Sequence, residues 1–369
     1  MEFNYSRRVE SLRERIELEG LKAAVVFGES NLIYYVGTEA ANALVVSSDQ
    51  NVVVLSSSLN YIRALDERKI GDLYFYSEYM EGEERRGIKG DLYSALRTVL
   101  EEIGVRKGEI GVNLGSLGYE DYSKLVKALG FEPKDISGIV SRSRSLKDPE
   151  ELKAIEKSIS ISQEAMRKAL DSLDKGVKEI EVLRVIEDVF RSRGAYNAFT
   201  PIVAFGDHTA QPHATPGGRE LKEGDLVIID LGAKLAGYCS DMTRTLVYGK
   251  PSSKQVKLFK SVLKAQAKAI ESIRAGIKAS EVDKAAREAL KEEGLSTYFI
   301  HGTGHGVGID IHEVPYITLT SKDDLVAGMV TTIEPGVYIR GYGGVRIEDV
   351  VLVRPGDAEV LTSFEREMF

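Results

Sequence analysis

The feature that most restricts how this chain can fold is a pair of separated strand–turn–strand segments, each carrying two acids. The first is LVIIDLGAKLAGYCSDMTRTLVY, with Asp230 and Asp241, and the second is MVTTIEPGVYIRGYGGVRIEDVVLV, with Glu334 and Glu348. Asp230 and Asp241 are equidistant from a turn expected at Leu235 and Ala236, and Glu334 and Glu348 from one at Gly341. Positions equidistant from a hairpin turn face each other on one side of the ribbon, so each segment would set two carboxylates side by side. Like charges at that spacing are unfavourable unless something positive lies between them. Asp230 follows LVII and Glu334 follows MVTTI, where a strand normally places core residues. A carboxylate buried there unpaired is costly or takes up a proton. A bound cation answers both difficulties; the competing readings put the acids on a solvent face or pair them with Arg244 and Arg346.

Helical periodicity surrounds the two hairpins, at about 149–174 and 178–193 before the first and at 254–274 and 279–293 between them. Pro149 followed by Glu150 and Glu151 reads as a first helical turn. The order of helices and strand pairs predicts two related halves facing each other. All five histidines, His208, His213, His301, His305 and His312, lie in this part, three of them within HGTGHGVGIDIHE. Its alternating glycines disfavour a helix and let backbone pass close to a bound group. Four carboxylates with imidazole form an oxygen-rich set suited to manganese, cobalt, iron or zinc. Two such ions sharing carboxylates would lie roughly 3.5–4 Å apart and activate a shared water at neutral pH.

At 369 residues the chain is long enough for two domains, with the boundary expected where SRSRSLKD interrupts the apolar pattern, giving 1–140 and 141–369. The first interleaves helical stretches with runs such as LKAAVVF, NALVV and NVVVL and reads as a mixed α/β domain. A net charge of -8 argues against a phosphate-backbone partner, so no nucleic acid is expected. The charged opening MEFNYSRRVESLRERI has no apolar leader and no run reaches a membrane span, so the expectation is a cytoplasmic protein with no membrane partner. The single cysteine, Cys239, excludes an internal disulfide and reads as a small buried residue.

The motifs DLGAKLAGYCSDMTRT, HGTGHGVGIDIHE, TIEPGVY and GGVRIEDVVLV, in that order and preceded by QPHATP, resemble the pita-bread metallopeptidases, and within them the Xaa-Pro dipeptidases. NLIYYVG is similar to the creatinase-type N-terminal domain of that family. The resemblance implies an α/β fold: a mixed creatinase-like domain, then a pita-bread (α+β) catalytic domain with a pseudo-two-fold repeat. It implies two divalent metal ions per subunit, with Asp230 on one, His305 and Glu334 on the other, and Asp241 and Glu348 bridging. Glu334 would also accept a proton from the bridging water, His312 and His213 would contact substrate and the tetrahedral intermediate, and His301 and Arg346 would line the same pocket. The implied reaction is hydrolysis of Xaa-Pro dipeptides by a metal-bridging hydroxide, releasing proline, in a homodimer; the substrate partner is a small peptide with proline second. An arginine of longer prolidases is absent between His312 and Glu334, which keeps Xaa-Pro aminopeptidase activity on longer peptides as the alternative. Loss of ligand acids would instead mark a metal-free hydrolase or a non-catalytic binding protein, and the full set is present. Thr243 and Thr245 read as supports for the ligands, and His208, where relatives often have asparagine, as a loop residue.

Overall fold

The computed structural model describes residues 2–80, 86–105 and 107–366. The chain divides into two compact units, Glu2–Arg144 and Ser145–Phe369.

The first unit runs α1 (Tyr5–Leu18), β1 (Ala23–Val26), α2 (Glu29–Val36), β2 (Ala43–Ser47), β3 (Val52–Ser57), α3 (Tyr61–Glu67), β4 (Asp72–Ser77), β5 (Gly87–Lys89), α4 (Leu92–Glu102), β6 (Ile110–Val112), α5 (Tyr119–Leu129), β7 (Lys134–Asp135) and α6 (Ser137–Ser145). Its strands form one mixed sheet in the order β5-β4-β3-β2-β1-β6-β7. Both central strands, β1 and β2, are buried throughout, which is why AAVV and ALVVS are continuous apolar runs with no polar alternation. The basic run SRSRS falls within α6, where sequence alone suggested only an interruption. Arg144 there is buried and donates to Asn31 Oδ1 at 2.9 Å, a distant partner that no local pattern announces.

The second unit comprises α7 (Pro149–Asp171), α8 (Glu179–Ser192), β8 (Tyr196–Asn197), β9 (Ile202–Phe205), β10 (Leu226–Leu231), β11 (Ala233–Leu235), β12 (Tyr238–Cys239), β13 (Met242–Val247), α9 (Ser253–Ser272), α10 (Ala279–Glu292), β14 (Gly304–Gly306), β15 (Glu313–Ile317), β16 (Val330–Ile333), β17 (Gly336–Ile339), β18 (Gly343–Arg346), β19 (Asp349–Leu352) and β20 (Glu359–Val360). Asp148 caps α7 by accepting from the amides of Glu150 and Glu151, Glu151 returns the bond to Asp148 N, and Pro149 occupies the first turn.

The unit repeats itself. In each half two antiparallel helices precede the strands, and the turn joining them has a glycine in the left-handed region, Gly176 (φ 87°) and Gly276 (φ 89°). Gly176 N donates to Leu221 O at 2.9 Å and Gly276 N to Leu325 O at 2.7 Å. Laying Leu221 on Leu325 aligns LKEGDLVIID with LVAGMVTTIE and brings Asp230 onto Glu334.

The two-residue period of a strand then decides where the acids go. In β10, Val227, Ile229 and Leu231 pack with Met166, Ile186 and Phe190 of α7 and α8, so Asp230 lies on the opposite face. In the second half, Ile333, Val337, Val345, Ile347 and Val351 join Phe259 and Val282 of α9 and α10, and Glu334, Tyr338, Arg346 and Glu348 alternate with them. Each half buries one face against its helices and turns its acids the other way. Burying an aromatic such as Phe190 or Phe259 contributes on the order of 2–3 kcal/mol, so exchanging the two faces would be prohibitive.

Candidate metal centre and its cavity

The two hairpins reach this arrangement by different registers. Glu334 and Glu348 sit midway about Gly341, and flanking pairs such as Ile333 with Asp349 and Gly336 with Arg346 keep that register. In the first hairpin the pairs are Asp230 with Thr243 and Leu235 with Tyr238, because the turn is built on Ala236 and Gly237, both at positive φ. Asp241 is therefore displaced by two residues from the position opposite Asp230. An even displacement leaves the face unchanged, so both acids still point the same way.

Asp241, His305 and Glu348 are buried, and one ligand atom from each lies within 4.8 Å of the others. His305 Nε2 is 3.3 Å from Glu334 Oε1 and 3.7 Å from Asp241 Oδ2. Its Nδ1 donates to Gly306 O at 3.1 Å, which leaves Nε2 as the nitrogen aimed at the acids. Asp230 Oδ2 accepts from Arg346 Nη2 at 2.5 Å, so one competing reading holds for this acid; Arg244 instead pairs with Asp349 on the opposite face. Thr243 Oγ1 donates to Glu348 Oε2 at 2.8 Å. After these bonds, Asp230 Oδ1, Asp241 Oδ1 and Glu348 Oε1 are buried with no hydrogen-bond partner among the described residues. Buried carboxylate oxygens without partners, lining one cavity beside an imidazole nitrogen, are a donor set that fits divalent cations, although Asp230 and Glu334 lie outside the 4.8 Å group.

The electrostatics agree. Burial, reinforced by the neighbouring acids, pushes Asp241 and Glu348 well above the usual carboxylate range. Burial also raises Asp230, with Arg346 opposing. Glu334 is half-buried at the cavity wall, and the hydrogen bond and charge of His305 outweigh desolvation and hold it at about 2. Burial works against a charge on His305, and Glu334 overrides it, so His305 is raised. Such an imbalance is what a site has when its positive charge comes from outside the chain.

Around the acids lies a cavity of about 770 Å³, whose wall includes Phe199, Ile202, His213, Ile300, His312 and Tyr316. His312 stacks edge-on against His305 at 4.2 Å between ring centres and is exposed to the cavity. His213 reaches it from the loop after β9 and is exposed. His301 also lines it, but both its ring nitrogens are engaged: Nδ1 donates to Gly302 O at 2.8 Å and Nε2 lies 3.0 Å from the Tyr338 hydroxyl. Arg346 donates to that hydroxyl at 2.8 Å, to Thr243 Oγ1 and Pro212 O at 3.1 Å, and to Asp230.

Residues 153–355 match metallopeptidase family M24, and residues 8–146 match the creatinase/prolidase N-terminal domain. The chain belongs to metallopeptidase family M24. Among its M24 relatives, a protein of Pyrococcus furiosus named Xaa-Pro dipeptidase is 35% identical, covering 98% of this chain and 99% of its own length. The structure of an Xaa-Pro dipeptidase from Bacillus anthracis superposes with a TM-score of 0.90 at 31% identity, covering 99% of both chains. That of an X-Pro aminopeptidase from Thermotoga maritima gives 0.87 at 27% identity, covering 98% of this chain and 99% of the other. This M24 metallopeptidase has no described helix long and apolar enough to cross a membrane. Two residues that hold groups around the cavity went unnoticed in the sequence. Tyr338 lies four residues beyond Glu334, an even spacing that puts both on one face and could have revealed it. Glu179 is the other: His208 does not line the cavity but holds this buried acid, Nδ1 to Oε1, at 2.8 Å.

Proposed function

We propose that this metallopeptidase hydrolyses Xaa-Pro dipeptides, using a hydroxide shared between two divalent cations. The observation that carries the reading is the clustering of Asp241, His305 and Glu348 within 4.8 Å in the wall of a 770 Å³ cavity that Asp230 and Glu334 also line. Four carboxylates against one guanidinium leave three uncompensated negative charges, which two divalent cations and one hydroxide neutralise. Asp230 would hold one ion, His305 and Glu334 the other, with Asp241 and Glu348 between them. The ions would supply the nucleophile and polarise the scissile carbonyl. Glu334 lines the cavity beside His305, where its carboxylate would accept the proton that attack releases. His213 and His312 face the space a peptide would fill and can donate to the developing oxyanion. His301 acts through Tyr338 and Arg346, keeping Asp230 in place.

A second reading, Xaa-Pro aminopeptidase activity, is favoured by the state of Arg346. Four of the five guanidinium N–H bonds of Arg346 already donate inside the protein and the side chain is buried, so it is poorly placed to serve as the partner of a dipeptide's terminal carboxylate. The test is to strip the protein of metal, restore manganese or cobalt, and offer Met-Pro and a Met-Pro-containing tripeptide. Cleavage of the dipeptide alone supports the first reading, cleavage of the tripeptide the second, and cleavage of neither refutes both.

A further inference from the structure

Glu179, the first residue of α8, has no exposed surface, and its carboxylate binds three points of one loop. Oε1 accepts from Phe205 N at 2.9 Å and meets His208 Nδ1 at 2.8 Å, and Oε2 accepts from Gly217 N at 3.1 Å. Phe205 is the last residue of β9, and Gly217 lies on the far side of the loop that follows. One carboxylate therefore fastens both ends of the loop, and His208 ties its interior to the same oxygen. Between these anchors lie Pro212, whose carbonyl accepts from Arg346, and His213 to Pro216, which line the cavity. Charge-assisted bonds from buried backbone amides are short and directional, so they fix a loop far better than apolar contact alone.

The other half provides a parallel. Asp283, fully buried on α10, accepts from Thr303 N at 3.0 Å and Thr303 Oγ1 at 2.8 Å, and Arg287 beside it holds His301 O. Each half thus uses a buried acid on its second helix to hold a loop that brings histidines to the cavity. The loop held by Asp283 leads to His305, a candidate ligand, whereas the loop held by Glu179 carries none.

We propose that Glu179 and His208 are positioning residues for the substrate loop, setting where His213 meets the peptide without contributing to metal binding. This rests on the cavity being the peptide site, as proposed above. The test uses the manganese-loaded full chain. In Glu179→Gln the amide must turn an N–H toward a backbone N–H, so the loop loses an anchor. Expected are a KM for the cleaved Xaa-Pro peptide raised about tenfold and a manganese affinity by calorimetry within about twofold of wild type. Amide hydrogen exchange at Phe205 and Gly217 should accelerate together. His208→Ala should raise KM less, and His208→Asn, whose Nδ2 hangs from the same carbon as the histidine Nδ1, should restore it. Unchanged KM and exchange in these variants overturn the proposal, as does a manganese affinity that falls in step with activity. If Glu179→Gln does not fold, the His208→Ala and His208→Asn pair decides. Wild-type protein that binds manganese but cleaves no peptide sinks the functional reading, while the exchange measurement still judges the anchoring.

Discussion

Replacing Asp241 with asparagine should reverse sign between the metal-free and the metal-loaded protein. In the metal-free fold Asp241 is buried, its Oδ1 has no partner, and Glu348, Asp230 and Glu334 all press it toward protonation. Asparagine keeps the shape and removes the charge. Asparagine removes a charge that burial and three neighbouring acids disfavour, so the metal-free variant should be more stable by on the order of 1 kcal/mol. For a domain of this size that is an increase in Tm of about 2–4 °C. With metal the order inverts. Wild type at a metal concentration one hundred times Kd gains about 2.7 kcal/mol, and the variant, lacking the carboxylate proposed to bridge the ions, should lose most of that gain. Turnover should fall by at least about a thousandfold, as the loss of a group bridging both ions would require. Thermal unfolding of both proteins with chelator and with manganese, beside kcat on Met-Pro, makes the comparison. A metal-free variant less stable than wild type, or a metal-loaded variant with near-normal kcat, refutes the bridging assignment.

The pH dependence of the metal-free protein should carry the same signature. Asp241 and Glu348 have folded-state pKa values above their unfolded ones, so the stability they contribute is complete below the ordinary carboxylate range and is lost as pH rises through the raised values. Glu334 acts oppositely, losing its contribution as pH falls from about 4.5 toward 2. Chemical denaturation of chelator-treated protein should therefore show wild type losing stability relative to Asp241→Asn as pH rises above the ordinary carboxylate range, and a difference that does not change with pH contradicts the assignment. Tyr338→Phe removes the hydroxyl shared by Arg346 and His301, at a cost of about 1–3 kcal/mol, and kcat should drop about tenfold with KM little changed. An unaltered kcat would show that the hydroxyl does not help to place Asp230. Asp148→Ala removes both cap bonds of α7 and should lower stability by about 1 kcal/mol without altering kcat; a changed kcat would mean that the cap matters to the site.

What could be read in advance was whatever a short stretch of chain encodes by itself. The capped start of α7 is written in Asp148, Pro149 and Glu151, and the alternation of Ile333, Val337, Val345 and Val351 with Glu334, Tyr338, Arg346 and Glu348 follows from strand period. The register about Gly341 was legible because the turn sits at the midpoint of the two acids. The register of the first hairpin was not, since Ala236 and Gly237 together take positive φ and move the centre by one residue. Arg144 with Asn31 and His208 with Glu179 were invisible for a different reason: each pairs groups far apart in the chain, and no local spacing marks the partner.

The repeat explains why the acids gather at all. A single half, with apolar residues of β10 packed on α7 and α8, has no use for a carboxylate on its other face, where water would otherwise have to follow it. Two halves built alike bring two such faces together, and Asp230 and Glu334 occupy matching places in them. Their repulsion is then a property of the repeat and cannot be relieved by repacking one half. The chain keeps Arg346 as one internal counter-charge and places it against Asp230. Asp241 and Glu348 each keep a buried oxygen with no hydrogen-bond partner among the described residues, and burial with the neighbouring acids outweighs the opposing charge of Arg346. The face that costs most in the metal-free protein is therefore the one that gains most from divalent ions, which is why stability and metal affinity should respond to the same substitutions with opposite sign.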